Sequence, residues 1–298
     1  MREGAAVQLL AGDRLHLQHG PIDIVLRAWG SRTAVADAYE AVVTRFRTVL
    51  DALVAELPEL RKAMSDEPRV EGAVAKRMVT ACAPHRGVFI TPMAAVAGAV
   101  ADELLAAMTG AAPLRKAFVN DGGDIALHLA KGETMAVGVA ADFSRGPVPA
   151  LNGQVTLHAA DGIGGIATSG SQGRSFSLGI ADSVTVLGTD AAGADAAATL
   201  IANAVDLPGH PAIHRAPARA LDPDSDLGDR PVTTAVGPLE PDEVAAALAA
   251  GRACAEAMRR RGLIHDAALM LCGRTIVLGR SAAPGGPQPW IVGVRNML

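Results

Sequence analysis

Aromatic side chains are scarce in this chain, only 3% of its 298 residues. Because 50% of the residues are nevertheless apolar and mean hydropathy is +0.26, the core must be assembled from Ala, Val and Leu. Cysteine is nearly absent as well. Cys82, Cys254 and Cys272 are odd in number, far apart and form no Cys-x-x-Cys pair. That pattern argues against a disulfide framework and a cysteine zinc site, and fits a reducing, cytoplasmic compartment. Nor is there an excess of positive charge. The 27 Lys+Arg against 31 Asp+Glu leave a net charge of -4, so the basic footprint of a nucleic-acid-binding protein is missing. The stretch Met1 to Gly20 has no uninterrupted apolar run ahead of a small-residue cleavage site, so no export signal is predicted. The longest apolar stretch, Val88 to Met108, is broken by Pro92, Gly98, Asp102 and Glu103. It predicts a buried helix and no membrane span.

What is present divides into two patterns. Leu15 and Leu17, then Ile22, Ile24 and Leu26, alternate around His19-Gly20-Pro21 and predict a hairpin. From Thr33 to Leu57, apolar residues recur at helical spacing, and Pro58 is expected to end or bend that helix. A second helix is expected from about Val70 to Ala81. A third starts at Thr91-Pro92, with Thr as N-cap and Pro at the first helical position. After Gly110, short apolar runs bounded by Gly, Asp or Asn predict strands around Ala117–Val119, Ile125–Leu127, Met135–Ala140, Val155–Leu157, Gly165–Ala167 and Val184–Leu187. Helices follow from Asp190 or Ala194 to Val205 and from Asp242 to Arg261, then a hairpin around Cys272-Gly273-Arg274 and a strand near Trp290 to Val292. Between those helices lies Pro208 to Pro241, with seven prolines and an acidic run. It is expected to form no regular element over its whole length, and reads as a lid or a surface excursion.

Three segments could carry chemistry. Asn120-Asp121-Gly122-Gly123-Asp124 lies between two apolar runs. Its glycines permit positive φ and close ligand approach, and the same residues also make an ordinary strand-connecting turn. Gly165 to Gly173 ends in a loop with Thr168, Ser169 and Gly170, whose hydroxyl and backbone donors suit a phosphate or a ribose, and whose composition equally suits a flexible polar loop. It lacks the spaced Gly-Lys-Ser/Thr of a P-loop, and the preceding glycines do not fit a Rossmann fingerprint. Asp195 and Thr199 fall one turn apart on a helix, two hard oxygen donors suited to Mg²⁺, which takes few protein ligands and completes its shell with water and phosphate oxygens; the same pair also reads as an Asp favouring the helix dipole and a Thr bonding its own backbone. Cys82 with His85, and His210 with His214, are local pairs without an orienting partner and are discounted.

In combination and order, these segments resemble the ApbE superfamily of flavin-binding proteins and FAD:protein FMN transferases. Asn120 to Ile125 resembles its N-x-G-G-D-I segment, Ala167-Thr168-Ser169-Gly170 its A-T-S-G segment, and Ala194 to Thr199 its A-D-A-x-A-T segment. The resemblance implies an α+β fold, with mixed and antiparallel sheets packed with helices around a central groove. It implies a single domain of two lobes, with the Pro-rich 208–241 as a loop excursion. It further implies FAD or FMN contacting Asn120, Gly122, Gly123, Asp124, Thr168, Ser169 and Gly170, and Mg²⁺ held by Asp195 and Thr199. The implied chemistry is attack by a protein threonine on the FMN phosphate with AMP leaving.

Two family segments differ here. The G-x-A-K-G segment is matched only as Ala94 to Gly98, with Ala97 where Lys is usual, and the H-x-x-D-P-x-T-G segment is replaced by Arg174 to Asp182. Those departures, with Thr91 to Gly98 and Ser175-x-Ser177-x-Gly179-x-Ala181-Asp182, resemble the ApbE-like uncharacterised protein family numbered 0280, some relatives of which are linked with sulfur assimilation into homocysteine. Three readings follow: a flavin transferase, a binding or accessory protein without catalysis, and an enzyme on another small molecule using Ser175, Ser177 or Asp182. The partner expected is a small-molecule nucleotide or flavin, with no nucleic acid and no membrane; a homodimer is a base-rate expectation.

Overall fold

A computed structural model describes residues 4–142, 150–173, 175–279 and 290–292. Arg174, which opens the segment departing from the transferase pattern, lies outside the described residues. The chain divides into two compact units: Met1–Thr134 with His158–Ala167 and Gly188–Ala196, and Met135–Leu157 with Thr168–Leu187 and Ala197–Leu298.

The first unit opens with β1 (Ala6–Leu10), β2 (Arg14–His19) and β3 (Ile22–Trp29), an antiparallel meander. The expected hairpin is its second turn; β1 is an added edge strand that the sequence reading missed, because most of its residues are exposed and no alternation marks it. Helix α1 (Arg32–Leu60) starts at Ser31, whose hydroxyl accepts the Ala34 N–H at 3.1 Å. It buries Ala34, Ala38, Val42, Phe46, Val49 and Leu53, the one-sided pattern that makes it amphipathic. It continues through Pro58 rather than ending there. Proline removes one helical N–H bond and its ring crowds the carbonyl of Val54, a cost offset by continuing the helix, which places Leu60 fully in the core.

Helix α2 (Ala73–Cys82) follows, its entry held by Glu56, which accepts the Glu71 and Gly72 N–H groups at 2.7 and 2.8 Å. The segment at Thr91-Pro92 begins as a 3₁₀ turn, Pro92–Ala95, before α3 (Val96–Ala111). Thr91 is extended as an N-cap should be, but its side chain makes no cap bond. By length and composition the stretch Pro92–Ala111 could cross a membrane. Here it packs against α1, α2 and the strands β4 (Lys116–Asp121) and β5 (Asp124–Leu129), burying Ala99, Val100, Ala101, Leu104 and Met108.

Of the remaining strands, β6 (Thr134–Asp142), β7 (Ala150–His158), β8 (Gly165–Ser169) and β9 (Ser183–Gly188) come next along the chain. The start of β8 pairs with β5 in the first unit, Ile125 opposite Ile166 and Ala126 opposite Gly165. Helix α4 (Ala191–Ala204) begins in the first unit and ends in the second.

In the second unit, the Pro-rich segment carries three short elements: β10 (Ile213–Pro217), α5 (Ala218–Leu221) and β11 (Pro231–Val236). β10 and β11 pair antiparallel with an irregularity at His214/Arg215. Prolines at the strand ends, Pro217 and Pro231, stand opposite each other where no further ladder bond is needed. The ribbon is tied down: the Thr233 N–H donates to Ser177 O at 2.9 Å and its hydroxyl to Gly179 O at 2.8 Å. Helix α6 (Pro241–Arg260) is closed by a reciprocal cap between Glu240 and Glu243 and ends in Arg259 and Arg260, which complement its dipole. The hairpin β12 (Asp266–Leu271) and β13 (Arg274–Leu278) pairs through β12 with β9, and β14 (Trp290–Val292) pairs with β7.

Candidate functional site

The Asn-Asp-Gly-Gly-Asp segment is the turn between β4 and β5. Gly122 and Gly123 both have positive φ, 65° and 117°, the requirement of a two-residue hairpin that twists with its strands. The Gly123 N–H donates to Asn120 Oδ1 at 2.9 Å, so the Asn120 amide closes the turn. Strand alternation separates the polar residues. Asp121 lies on the face of buried Ala117 and Val119, Asn120 on that of Lys116 and Phe118, and Asp124 stands directly opposite Asp121.

Asp195 lies in the second turn of α4. The charges of Asp124 and Asp121 both act on it. Asp195 retains some accessible surface but is surrounded by protein atoms, and this poor hydration, with the neighbouring carboxylates, holds its carboxyl well above the usual range. The opposing influence comes from α3. The Gly98 N–H donates to Asp195 Oδ2 at 3.1 Å and the Ala97 N–H also supports the carboxylate, so Asp195 caps the first turn of α3.

Helix α3 returns the contact. Asp102 accepts the Ala191 N–H through Oδ1 at 3.0 Å and the Ala192 N–H through Oδ2 at 2.9 Å, while Asp190 takes the Gly193 N–H at 2.7 Å. Burial pushes the Asp102 carboxyl up to about 6, against the pull of the Ala192 and Ala191 N–H groups. The two helices approach so closely that a Cβ on Gly98 would stand 2.8 Å from Ala192 Cα and collide with the Ala191 carbonyl. Glycine at this position of the Ala94–Gly98 segment is therefore a packing requirement. Cys82 also lies in this region: its thiol donates to Thr91 O at 3.4 Å and is pushed far up by burial and by Asp195, the opposite of an activated nucleophile.

Thr199 is one turn beyond Asp195 on α4. Among the described residues no group of three or more His, Cys, Asp or Glu side chains is arranged to hold a metal ion.

In the second unit, Thr168 Oγ1 lies 2.9 Å from Thr185 Oγ1, and Ser169 ends β8. Gly170 is packed against backbone, where a Cβ would come within 2.9 Å of the Asp182 carbonyl carbon and 3.0 Å of Ser183 Cα. Ser171 N–H and hydroxyl both donate to Ala181 O, at 2.8 and 2.9 Å. The residues suggested for alternative small-molecule chemistry are occupied structurally. Ser177 is buried, accepts the Gly179 N–H at 3.2 Å and donates to Asn203 Oδ1 at 3.4 Å. Asp182 accepts the Cys272 N–H at 2.6 Å and Gln172 Nε2 at 3.3 Å. Ser177 and Asp182 thus each hold a backbone N–H group, that of Gly179 and that of Cys272. His210 Nε2 lies 2.9 Å from Glu243 Oε1.

The sequence reading missed Asp102 and Asp121 as members of this arrangement. For Asp102 a signal existed, a carboxylate inside an otherwise apolar helix. For Asp121 none did, since its face depends on the register of β4.

The sequence profile of the family described as AbpE bacteria matches residues 6–277. A UPF0280 protein of Methanopyrus kandleri is 35% identical over 183 residues, 61% of this chain and 69% of its own length. One of Methanothrix thermoacetophila is 43% identical over 117 residues, 39% of this chain and 46% of its own. The chain thus spans about two thirds of the length of the first relative and under half of the second. Among solved structures, the ApbE protein of Thermotoga maritima shares the α+β fold at a TM-score of 0.50 and 14% identity, across 91% of this chain and 96% of that one.

Proposed function

The chain belongs to the bacterial AbpE family, and on that footing we propose that it binds a flavin nucleotide, FAD or FMN, in the cytoplasm, with Mg²⁺ held by Asp195 and Thr199. The observation that carries this reading is the state of Asp195. It is a poorly hydrated carboxylate with two further acids acting on it, and a divalent cation would offset that charge. Asp195 and Thr199 offer hard oxygen donors, and two protein ligands suit Mg²⁺ when phosphate oxygens and water complete its octahedron. Among the described residues no group of three or more His, Cys, Asp or Glu side chains is placed to hold a metal ion by itself, so the ion should bind well only together with the nucleotide. Nucleotide contacts are assigned on sequence grounds to Asn120, Gly122, Gly123 and Asp124, and to Thr168, Ser169 and Gly170.

Two versions differ in outcome. In the transferase version, a protein threonine hydroxyl would lose its proton to solvent as its oxygen bonds to the FMN phosphorus and the bond to the departing AMP oxygen breaks; Mg²⁺ held by Asp195 and Thr199 would supply charge neutralisation for the transferring group. In the binding version, the nucleotide is held without transfer. Ala97 favours the second: it supports Asp195 through its backbone N–H and has no ammonium group to offer a phosphate.

The test is FAD titration of purified protein with and without Mg²⁺, after recording its absorbance spectrum and the mass of any released cofactor. Uptake that needs Mg²⁺ and is lost in Asp195→Ala supports the proposal; a protein that takes up neither FAD nor FMN ends it. AMP release from FAD then separates the two versions.

A further inference from the structure

Asp102 and Asp195 each sit on one helix and serve the other. The Asp102 carboxylate spans two consecutive N–H groups, Ala191 and Ala192, at the start of α4, and Asp195, one turn further along α4, receives N–H groups from Gly98 and Ala97 at the start of α3. The two helices cross closely here, since a Cβ added at Gly98 would collide with the backbone of Ala191 and Ala192.

We infer that Asp102 is the positioning residue of Asp195: it locks the first turn of α4 to α3, so that one Asp195 oxygen stays on the α3 amides while the other stays directed to its ligand. This rests on the reading of Asp195 as a Mg²⁺ ligand. Asp102 itself touches neither ion nor nucleotide in this scheme. Its carboxylate also occupies the two amides at the N-terminus of α4, so those amides are not open to a nucleotide phosphate. Asp190 supplies a natural control. It caps the same helix through the Gly193 N–H at 2.7 Å, but it does so from α4's own chain and does not join α4 to α3.

The experiment compares Asp102→Ala and Asp190→Ala with the wild type in the full chain, by two readouts. Amide hydrogen exchange is followed at Ala191 and Ala192 and at Ala97 and Gly98. FAD affinity is titrated across a Mg²⁺ series. Asp102→Ala is expected to raise exchange at both pairs and to weaken Mg²⁺-supported FAD binding about tenfold or more, the usual effect of removing a group that orients a metal ligand. Asp190→Ala is expected to leave Ala97 and Gly98 protected and binding within about twofold of the wild type. Asp102→Glu, which keeps the carboxylate, should recover part of the loss. If the two alanine variants behave alike, or if Asp102→Ala leaves Ala97 and Gly98 protected, the inference is overturned. If the wild type binds neither Mg²⁺ nor FAD, the proposed function fails while the exchange pattern still decides whether Asp102 positions Asp195.

Discussion

Asp121 and Asp124 face each other directly across the two-glycine turn of β4 and β5, and the charges of both act on Asp195. Like charges directly opposite on a ladder are destabilising, and here they are gathered beside a third carboxylate. Such an arrangement is weaker without a counter-ion than with one. In the wild type, Mg²⁺ with FAD should therefore raise Tm. Asp124→Asn should raise Tm of the free protein and shrink the increment from Mg²⁺ and FAD. Equal increments in both proteins, measured by thermal unfolding, would remove the electrostatic basis of the proposed site.

Asp102 should leave a signature in the pH dependence of stability. Its carboxyl lies at about 6 in the folded chain against an ordinary 3.8. Between those values the folded state holds a proton that the unfolded state has released, so stability falls as pH rises through that window and the loss is complete above the folded value. A shift of this size corresponds to at most about 3 kcal/mol. Asp102→Asn should abolish that component, so wild-type stability relative to the variant should decline between about pH 4 and 7. Parallel curves for the two proteins would show that Asp102 ionises normally.

Two glycines of α3 should respond with opposite signs. Gly98→Ala forces a Cβ into the Ala191–Ala192 backbone and should destabilise by about 1–3 kcal/mol or more. Gly110→Ala has nothing within 4 Å of the added Cβ and should stabilise by up to about 1 kcal/mol through helix propensity. Urea midpoints of the two variants settle the comparison.

Ser177→Ala should behave as a structural loss only. It removes the acceptor of the Gly179 N–H and a partner of Asn203, costing about 1–3 kcal/mol. FAD affinity, where present, should stay within about twofold after correction for unfolded protein. A selective loss of binding at full stability would return Ser177 to the site.

The thiols should label in an order set by burial. Cys272 is exposed on the β12–β13 turn and should react with iodoacetamide in the native state, more slowly than a free thiol, because desolvation and Asp182 push its thiol up. Cys82 should react only after unfolding. Mass spectrometry of peptides labelled before and after denaturant reads both.

Periodicity alone carried much of the fold. The hairpin at His19-Gly20, the amphipathic stripe of α1, the short strands after Gly110 and the long α6 are local patterns, since each element's own residues dictate its burial. What it could not supply was an element whose pattern is lost to exposure, as in β1, or one stabilised from outside, as in β10 and β11, which Thr233 fastens to Ser177 and Gly179. Pro58 illustrates the same limit: local propensity ends the helix, while the burial of Leu60 extends it.

The same division runs through the site. Sequence by itself determined the small-residue aliphatic core, the two-glycine turn and the pairing of Asp195 with Thr199 on one helix, because composition, turn chemistry and helical spacing are properties of adjacent residues. Tertiary structure alone decided that Asp121 rather than Asn120 takes the buried face, that Asp102 caps α4, and that Gly98 admits the close crossing. Those facts depend on strand register and on backbone groups brought together from distant parts of the chain, where an N–H donor carries no mark in the residue's name.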